Sequence, residues 1–321
     1  MNETMVFGLT SSNELVNEIC NYLNLEPGKI SVKHFADGEI LVTPEETVRG
    51  KKVYIVQSTC NPVTERLMEL LVCIDAMKRA SAGEITCIMP YYGYARQDRK
   101  ASPRQPITSK LVADLLETAG ANRVVTIDLH AAQIQGFFNF PTDDLTCIPM
   151  IAQYYKNSDA IDLSNTVVVS PDHGGTTRAR NLAGRLGVPM AIIDKRRPRP
   201  NVCEANNVIG DVAGKDCIVV DDICDTGGSL VAGCELLKET GAKTIYAAVT
   251  HAVFSGKAAE NIQNSPIKEM IVSNTIPLSE EFKSKCDKVT VLSVGWMLSK
   301  MVSAISNHTP ASDVYELYEE K

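Results

Sequence analysis

Apolar residues in this chain come in short continuous runs, separated by stretches in which they recur at helical spacing. Val53–Gln57, Ile85–Met89, Arg123–Ile127, Thr166–Val169, Met190–Ile193, Cys217–Val220 and Thr244–Val249 are rich in Val and Ile. Such runs predict strands buried on both faces, not the strict alternation of a half-solvated sheet. Thr64–Arg79, Ser109–Thr118 and Ser229–Glu239 carry apolar residues three and four apart and predict amphipathic helices. Strands alternating with helices imply an α/β fold with mainly parallel sheets flanked by helices.

An internal repeat divides the pattern in two. Leu115-Leu116-Glu117-Thr118-Ala119-Gly120-Ala121 leads through a strand to His130-Ala131; 121 residues later, Leu236-Leu237-Lys238-Glu239-Thr240-Gly241-Ala242 leads through a strand to His251-Ala252. Equal spacing of Leu-Leu, Gly-Ala and His-Ala predicts two similar α/β domains. A length of 321 residues suits two domains of ordinary size.

The chemistry concentrates at Cys217–Ser229. An apolar strand, expected to end at Val220, is followed by Asp221 and Asp222, and Asp225-Thr226-Gly227-Gly228-Ser229 then opens a helix. Amides and hydroxyls at a helix N-terminus favour an anion, and the glycines let the backbone approach it. Two carboxylates beside that loop can accept hydrogen bonds from a sugar diol. The run therefore fits a sugar phosphate, against the plainer alternative of a turn and a capped helix.

Composition narrows the partners. A net charge of −7 argues against general nucleic-acid binding. No apolar stretch approaches the roughly 20 residues that span a bilayer, and Met1-Asn2-Glu3-Thr4 does not open a signal peptide. The ten cysteines are scattered, with no Cys-x-x-Cys pair. A reduced, cytoplasmic protein without structural zinc is expected.

Positive charge is instead local. Lys195, Arg196, Arg197 and Arg199 follow the Met190–Ile193 strand, interleaved with Pro198 and Pro200, and read as an extended, mobile anion clamp or a solvated basic patch. Pro90–Lys100 holds three tyrosines, Arg96, Gln97, Asp98 and Arg99; the arginines suit phosphates, and Gln97 or a tyrosine suits a base. Phe35-Ala36-Asp37-Gly38-Glu39 is either a purine-stacking turn or an ordinary β-turn. Asp128-Leu129-His130 and Asp172-His173-Gly174-Gly175 place Asp and His at strand ends, where His130 and Asp172 are candidate ligands of hydrated Mg²⁺. His251 lacks an adjacent carboxylate and reads as structural. P-loop and Gly-x-Gly-x-x-Gly motifs are both missing from the sequence.

Taken together, Phe35–Glu39, Pro90–Lys100, Asp128–Phe138, Val168–Arg180, Asp194–Pro200 and Val219–Ser229 resemble the ribose-phosphate pyrophosphokinase family in its phosphate-activated class. The resemblance implies a phosphoribosyltransferase-like fold and transfer of the β,γ-diphosphoryl group of ATP to the C1 hydroxyl of ribose 5-phosphate. It implies that Phe35, Asp37, Gly38, Glu39, Arg96, Gln97, Asp98 and Arg99 bind ATP, Asp37 and Glu39 serving a neighbouring subunit. It further implies Lys195 and Arg197 as catalytic residues, with Mg²⁺ at His130 and Asp172. Ribose 5-phosphate falls to Arg197, Asp221, Asp222, Asp225, Thr226, Gly227, Gly228 and Ser229. The expected division is 1–147 and 148–296, with a helix in 297–321 completing the first domain. Hexamers built from dimers, with phosphate and ADP as effectors, complete the implied picture. The tail at 307–313 departs from the family pattern, and Arg49 fits its regulatory anion site. The nearest alternative, a phosphoribosyltransferase, would share the sugar-phosphate loop in a single domain.

Overall fold

The computed structural model describes residues 3–196, 205–312 and 314. The described chain forms two compact units. The first runs through Thr146 and includes Thr275–Pro277 and the described residues from Ser293; the second comprises Cys147–Asn274 and Leu278–Leu292.

The first unit contains β1 (Thr4–Gly8), α1 (Asn13–Leu23), β2 (Ile30–His34), β3 (Ile40–Pro44), β4 (Lys52–Val56), α2 (Val63–Arg79), β5 (Glu84–Met89), α3 (Thr108–Ala119), β6 (Arg123–Ile127), β7 (Thr142–Leu145) and, near the end of the chain, α9 (Gly295–Asn307). Its five-stranded sheet has the order β1-β4-β5-β6-β7, all parallel. Val53, Ile55, Cys87 and Val124 pack with Leu70, Ile74 and Met77 of α2 and Leu116 of α3. Tyr54 alternates with Val53 and Ile55, so it belongs to the opposite face; its hydroxyl meets Ser306 Oγ of α9 at 2.8 Å. Met297, Leu298, Met301 and Val302 of α9 are buried. β2 and β3 form a separate antiparallel hairpin.

The second unit contains α4 (Ile148–Lys156), β8 (Thr166–Ser170), α5 (Thr176–Leu186), β9 (Met190–Arg196), β10 (Ala205–Ile209), β11 (Asp216–Cys224), α6 (Gly228–Glu239), β12 (Thr244–Ala252), α7 (Ala258–Gln263), β13 (Ile267–Ser273), α8 (Glu280–Lys285) and β14 (Val289–Leu292). Its seven strands lie in the order β10-β9-β8-β11-β12-β13-β14, with β10 antiparallel to β9 and the other pairs parallel. No helix among the described residues is long and apolar enough to cross a membrane.

The repeat marks equivalent helix ends. Gly120 and Gly241 both have positive φ, 123° and 96°. In each copy the next amide closes the helix, Ala121 N–H onto Leu116 O and Ala242 N–H onto Leu237 O, both at 3.0 Å. Leu116 and Leu237 are buried in their respective cores. The copies then diverge: β6 stops at Ile127 and leaves His130 exposed, whereas β12 continues through His251, which is buried.

Candidate active site

Strand order reverses once in the second sheet. From β8 the chain adds β9 on one side, then returns to add β11 and its successors on the other. Open α/β sheets bind ligands beyond the carboxyl ends of the strands at such a reversal. The β8–β11 ladder ends at Val219↔Val169, but β11 stays paired with β12 as far as Cys224↔Ala252. The strand therefore runs past its expected end at Val220. Pairing to β12 uses the backbone and tolerates the two aspartates, which sit where β8 has already turned away.

Arg178, in the first turn of α5, faces this pair. Its Nη1 donates to Asp222 Oδ1 at 3.2 Å and lies 3.6 Å from Asp221 Oδ1. Asp221 Oδ1 also accepts from the Asp222 amide at 2.9 Å. Burial, followed by the Asp222 charge, pushes the Asp221 carboxyl up to about 7, against the opposing pull of Arg178. Because the folded value lies above the ordinary one, stability from this group is present at low pH and lost as pH rises through 7. Burial also pushes the Cys224 thiol up to about 12, which leaves it unreactive.

The loop that follows is held from outside. Ser255 Oγ donates to Asp225 Oδ1, and Asn261 Nδ2 donates to Thr226 O at 2.8 Å. Gly227 has φ 77°, a left-handed conformation costly for any residue with a Cβ. α6 starts at Gly228 with no side-chain cap, so its first amides remain available to an anion. A Cβ at Gly228 would meet only Thr226 Oγ1, at 3.8 Å, so the approach over it is open. Thr226 and Ser229 are exposed beside it.

After β8, Asp172 is exposed; its Oδ1 accepts from the Gly175 amide at 3.0 Å. His173 Nδ1 lies 3.8 Å from Oδ1 of Asp194, which is buried. The strand expected to end at Ile193 runs on through Arg196. Asp194, Lys195 and Arg196 continue β9, opposite Asn207, Asn206 and Ala205. Arg197, Arg199 and both prolines of that run lie outside the described residues, so the expected clamp is traced only to Arg196.

In the first unit, Phe35–Glu39 is the turn of the β2–β3 hairpin, closed by Phe35 N–H onto Glu39 O and Gly38 N–H onto Phe35 O, both at 2.9 Å. Phe35 is 55 % exposed, and Asp37, Gly38 and Glu39 are exposed with it. In the loop after β5, Arg96, Gln97 and Arg99 are exposed, and Asp98 Oδ2 accepts from Gln133 Nε2 at 2.9 Å. Two of its tyrosines do not present themselves to a base. Tyr91 and Tyr92 are buried, and the Tyr92 hydroxyl donates to Ser109 O at 2.8 Å, because this loop doubles as core packing against α3. Asp128 is buried and accepts from Thr146 Oγ1 at 2.7 Å. Among the described residues, no group of three or more His, Cys, Asp or Glu side chains is arranged to hold a metal. Arg49 Nη1 donates to Ser81 Oγ at 3.1 Å.

Arg178, Ser255 and Asn261 are parts of the site that sequence reasoning missed.

The N-terminal domain model of ribose phosphate pyrophosphokinase matches residues 4–120, and the phosphoribosyl synthetase-associated domain matches residues 197–316. The chain is 53 % identical over 311 residues to the ribose-phosphate pyrophosphokinase of Bacillus caldolyticus, covering 97 % of each. It is 51 % identical to ribose-phosphate pyrophosphokinase 1 of Listeria innocua, covering 97 % of this chain and 96 % of that one. The crystal structure of phosphoribosylpyrophosphate synthetase from Mycobacterium smegmatis matches with a TM-score of 0.89 at 40 % identity, covering 95 % of this chain and 99 % of that one. By identity, coverage and fold, this chain belongs to the ribose-phosphate pyrophosphokinase family.

Proposed function

We propose that this protein transfers the β,γ-diphosphoryl group of ATP to the C1 hydroxyl of ribose 5-phosphate, giving 5-phosphoribosyl 1-diphosphate and AMP. The observation that carries the reading is the juxtaposition, at the strand-order reversal, of Asp221 and Asp222 with the uncapped start of α6. Amides of Gly228 and Ser229, with the hydroxyls of Thr226 and Ser229, take the sugar phosphate, and the β11 carboxylates take the ring diol. Asp225 braces the loop through Ser255.

Attack of a hydroxyl on phosphorus demands in-line placement and neutralised charge more than covalent help. Lys195 and Arg197 supply cations to the moving diphosphoryl group. Phe35, Asp37, Gly38 and Glu39 of the hairpin turn, with Arg96, Gln97, Asp98 and Arg99, serve ATP. Asp37 and Glu39 act toward a neighbouring subunit of a homo-oligomer, a hexamer in our reading, with Arg49 in its effector site for phosphate or ADP. Mg²⁺ supplies charge neutralisation on the phosphate oxygens when bound. It takes few protein ligands and keeps several waters, and the exposed imidazole of His130 and carboxylate of Asp172 are donors that suit such a hydrated ion.

The test is to mix the full-length protein with ATP, Mg²⁺ and ribose 5-phosphate and analyse products by mass spectrometry. AMP and phosphoribosyl diphosphate are expected in equal amounts. ADP with ribose bisphosphate, or no product without an added base, would sink the reading.

A further inference from the structure

The guanidinium of Arg178 reaches both carboxylates of β11 from a single nitrogen. It arrives from α5, the helix that follows the Asp172 loop, and its side chain is 16 % exposed. Two adjacent carboxylates repel, and when one cation serves both, the pair holds on to a proton more readily than an isolated aspartate. A carboxylate that keeps its proton donates one hydrogen bond and loses acceptor capacity. A sugar diol presents two hydroxyl donors, so its recognition favours both carboxylates ionised.

We propose that Arg178 is a positioning residue for ribose 5-phosphate: its guanidinium holds Asp221 and Asp222 together and biases the pair toward the ionised, acceptor-only form that receives the diol. The inference rests on the assignment of the β11 loop to ribose 5-phosphate. Arg178 touches neither ATP nor the reacting atoms in this account; it acts through the carboxylates.

On β11 itself stand Asp221, Asp222, the Cys224 thiol and, just beyond, Asp225. From α5 comes Arg178. β12 places His251 in register with Ile223, and β8 contributes Val169 and Ser170, neither of which titrates in this range. Burial already lifts Asp221 to about 7, so the Arg178 charge acts where a small change alters the ionised fraction. Removing that charge raises the protonation midpoint of the pair, and the acid limb of kcat/KM for ribose 5-phosphate moves to higher pH.

The experiment compares Arg178→Gln, which keeps donors without charge, with Arg178→Lys, which keeps charge without the planar fork. For the glutamine variant we expect KM for ribose 5-phosphate to rise about tenfold or more near neutral pH, with kcat and KM for ATP within about threefold. Its acid limb should move up by about one pH unit, while that of the lysine variant stays within about 0.3 units of wild type. An unmoved limb in the glutamine variant, or a loss confined to kcat, overturns the proposal.

Asp222→Asn probes the same pair from the other side. It removes the neighbouring charge, so the limb should fall, and in that background Arg178→Gln should cost no more than about twofold. Independent, multiplying effects would overturn the proposal; if Arg178→Gln fails to fold, the acid limb of Arg178→Lys decides the matter, and a limb moved by as much as about one unit overturns it. Product analysis of the wild-type chain tests the proposed reaction itself. Calorimetric titration with ribose 5-phosphate reads the role of Arg178 whether or not transfer occurs.

Discussion

The two units solve one architectural problem with different consequences. Both wrap a mainly parallel sheet in helices, and both close an equivalent helix with an alanine amide donating to a leucine carbonyl. Yet the first sheet adds its strands in one direction, β1-β4-β5-β6-β7, while the second reverses at β8. A sheet without a reversal has no crevice of that kind at its carboxyl edge. The first unit instead displays its candidate residues on an exposed hairpin turn and a loop that is half core. The second gathers carboxylates, a guanidinium and free helix amides around one gap. Similar scaffolds thus divide the work: in our reading, one presents ATP and the other fixes the sugar and carries the catalytic lysine.

The comparison can be broken most forcefully at Lys195, on β9 beside β8. Lys195→Ala is expected to lower kcat by about a thousandfold, a loss of about 4 kcal/mol in transition-state stabilisation. KM for ribose 5-phosphate should change little. Steady-state kinetics would check both, and near-normal turnover would remove the lysine from the chemistry.

A smaller effect should localise the sugar. Gly227→Val forces a β-branched residue into the left-handed region at φ 77°, at a cost of about 1–2 kcal/mol. It should raise KM for ribose 5-phosphate about tenfold and leave KM for ATP unchanged. Equal losses for both substrates would mean that the two units do not divide the ligands.

The smallest effect belongs to the first unit. Phe35 is 55 % exposed, so Phe35→Ala should shift Tm by less than about 2 °C. Loss of a stacked base should raise KM for ATP about fivefold to tenfold, equivalent to about 1 kcal/mol. An unchanged KM for ATP, with the protein as an oligomer, would detach the hairpin turn from nucleotide binding.

Much of this division is legible in the amino-acid sequence. The central strands announce themselves because sheets covered on both faces need unbroken apolar runs. Gly120 and Gly241 mark helix ends because positive φ suits few other residues. The candidate phosphate loop is legible because its glycines and hydroxyls suit an anion. The strand extension to Cys224 is not, since carboxylates look like a strand's end until the β12 ladder is seen to carry them. Tyr91 and Tyr92 mislead for a related reason: an aromatic-rich loop has the same composition whether its rings face a ligand or the core. Arg178 is hidden because one arginine on a helix resembles a solvated one, and only tertiary packing brings it to β11. Ser255 and Asn261 brace the loop from about thirty residues away, a distance no local pattern spans.

The central claim is that the reversal between β8 and β11 holds ribose 5-phosphate, and a crystal structure of the protein with that ligand tests it most directly. The account predicts phosphate density within hydrogen-bond reach of the Gly228 and Ser229 amides, about 2.7–3.2 Å, with the diol on Asp221. Ribose 5-phosphate bound in the first unit, or with its phosphate away from the start of α6, would contradict it.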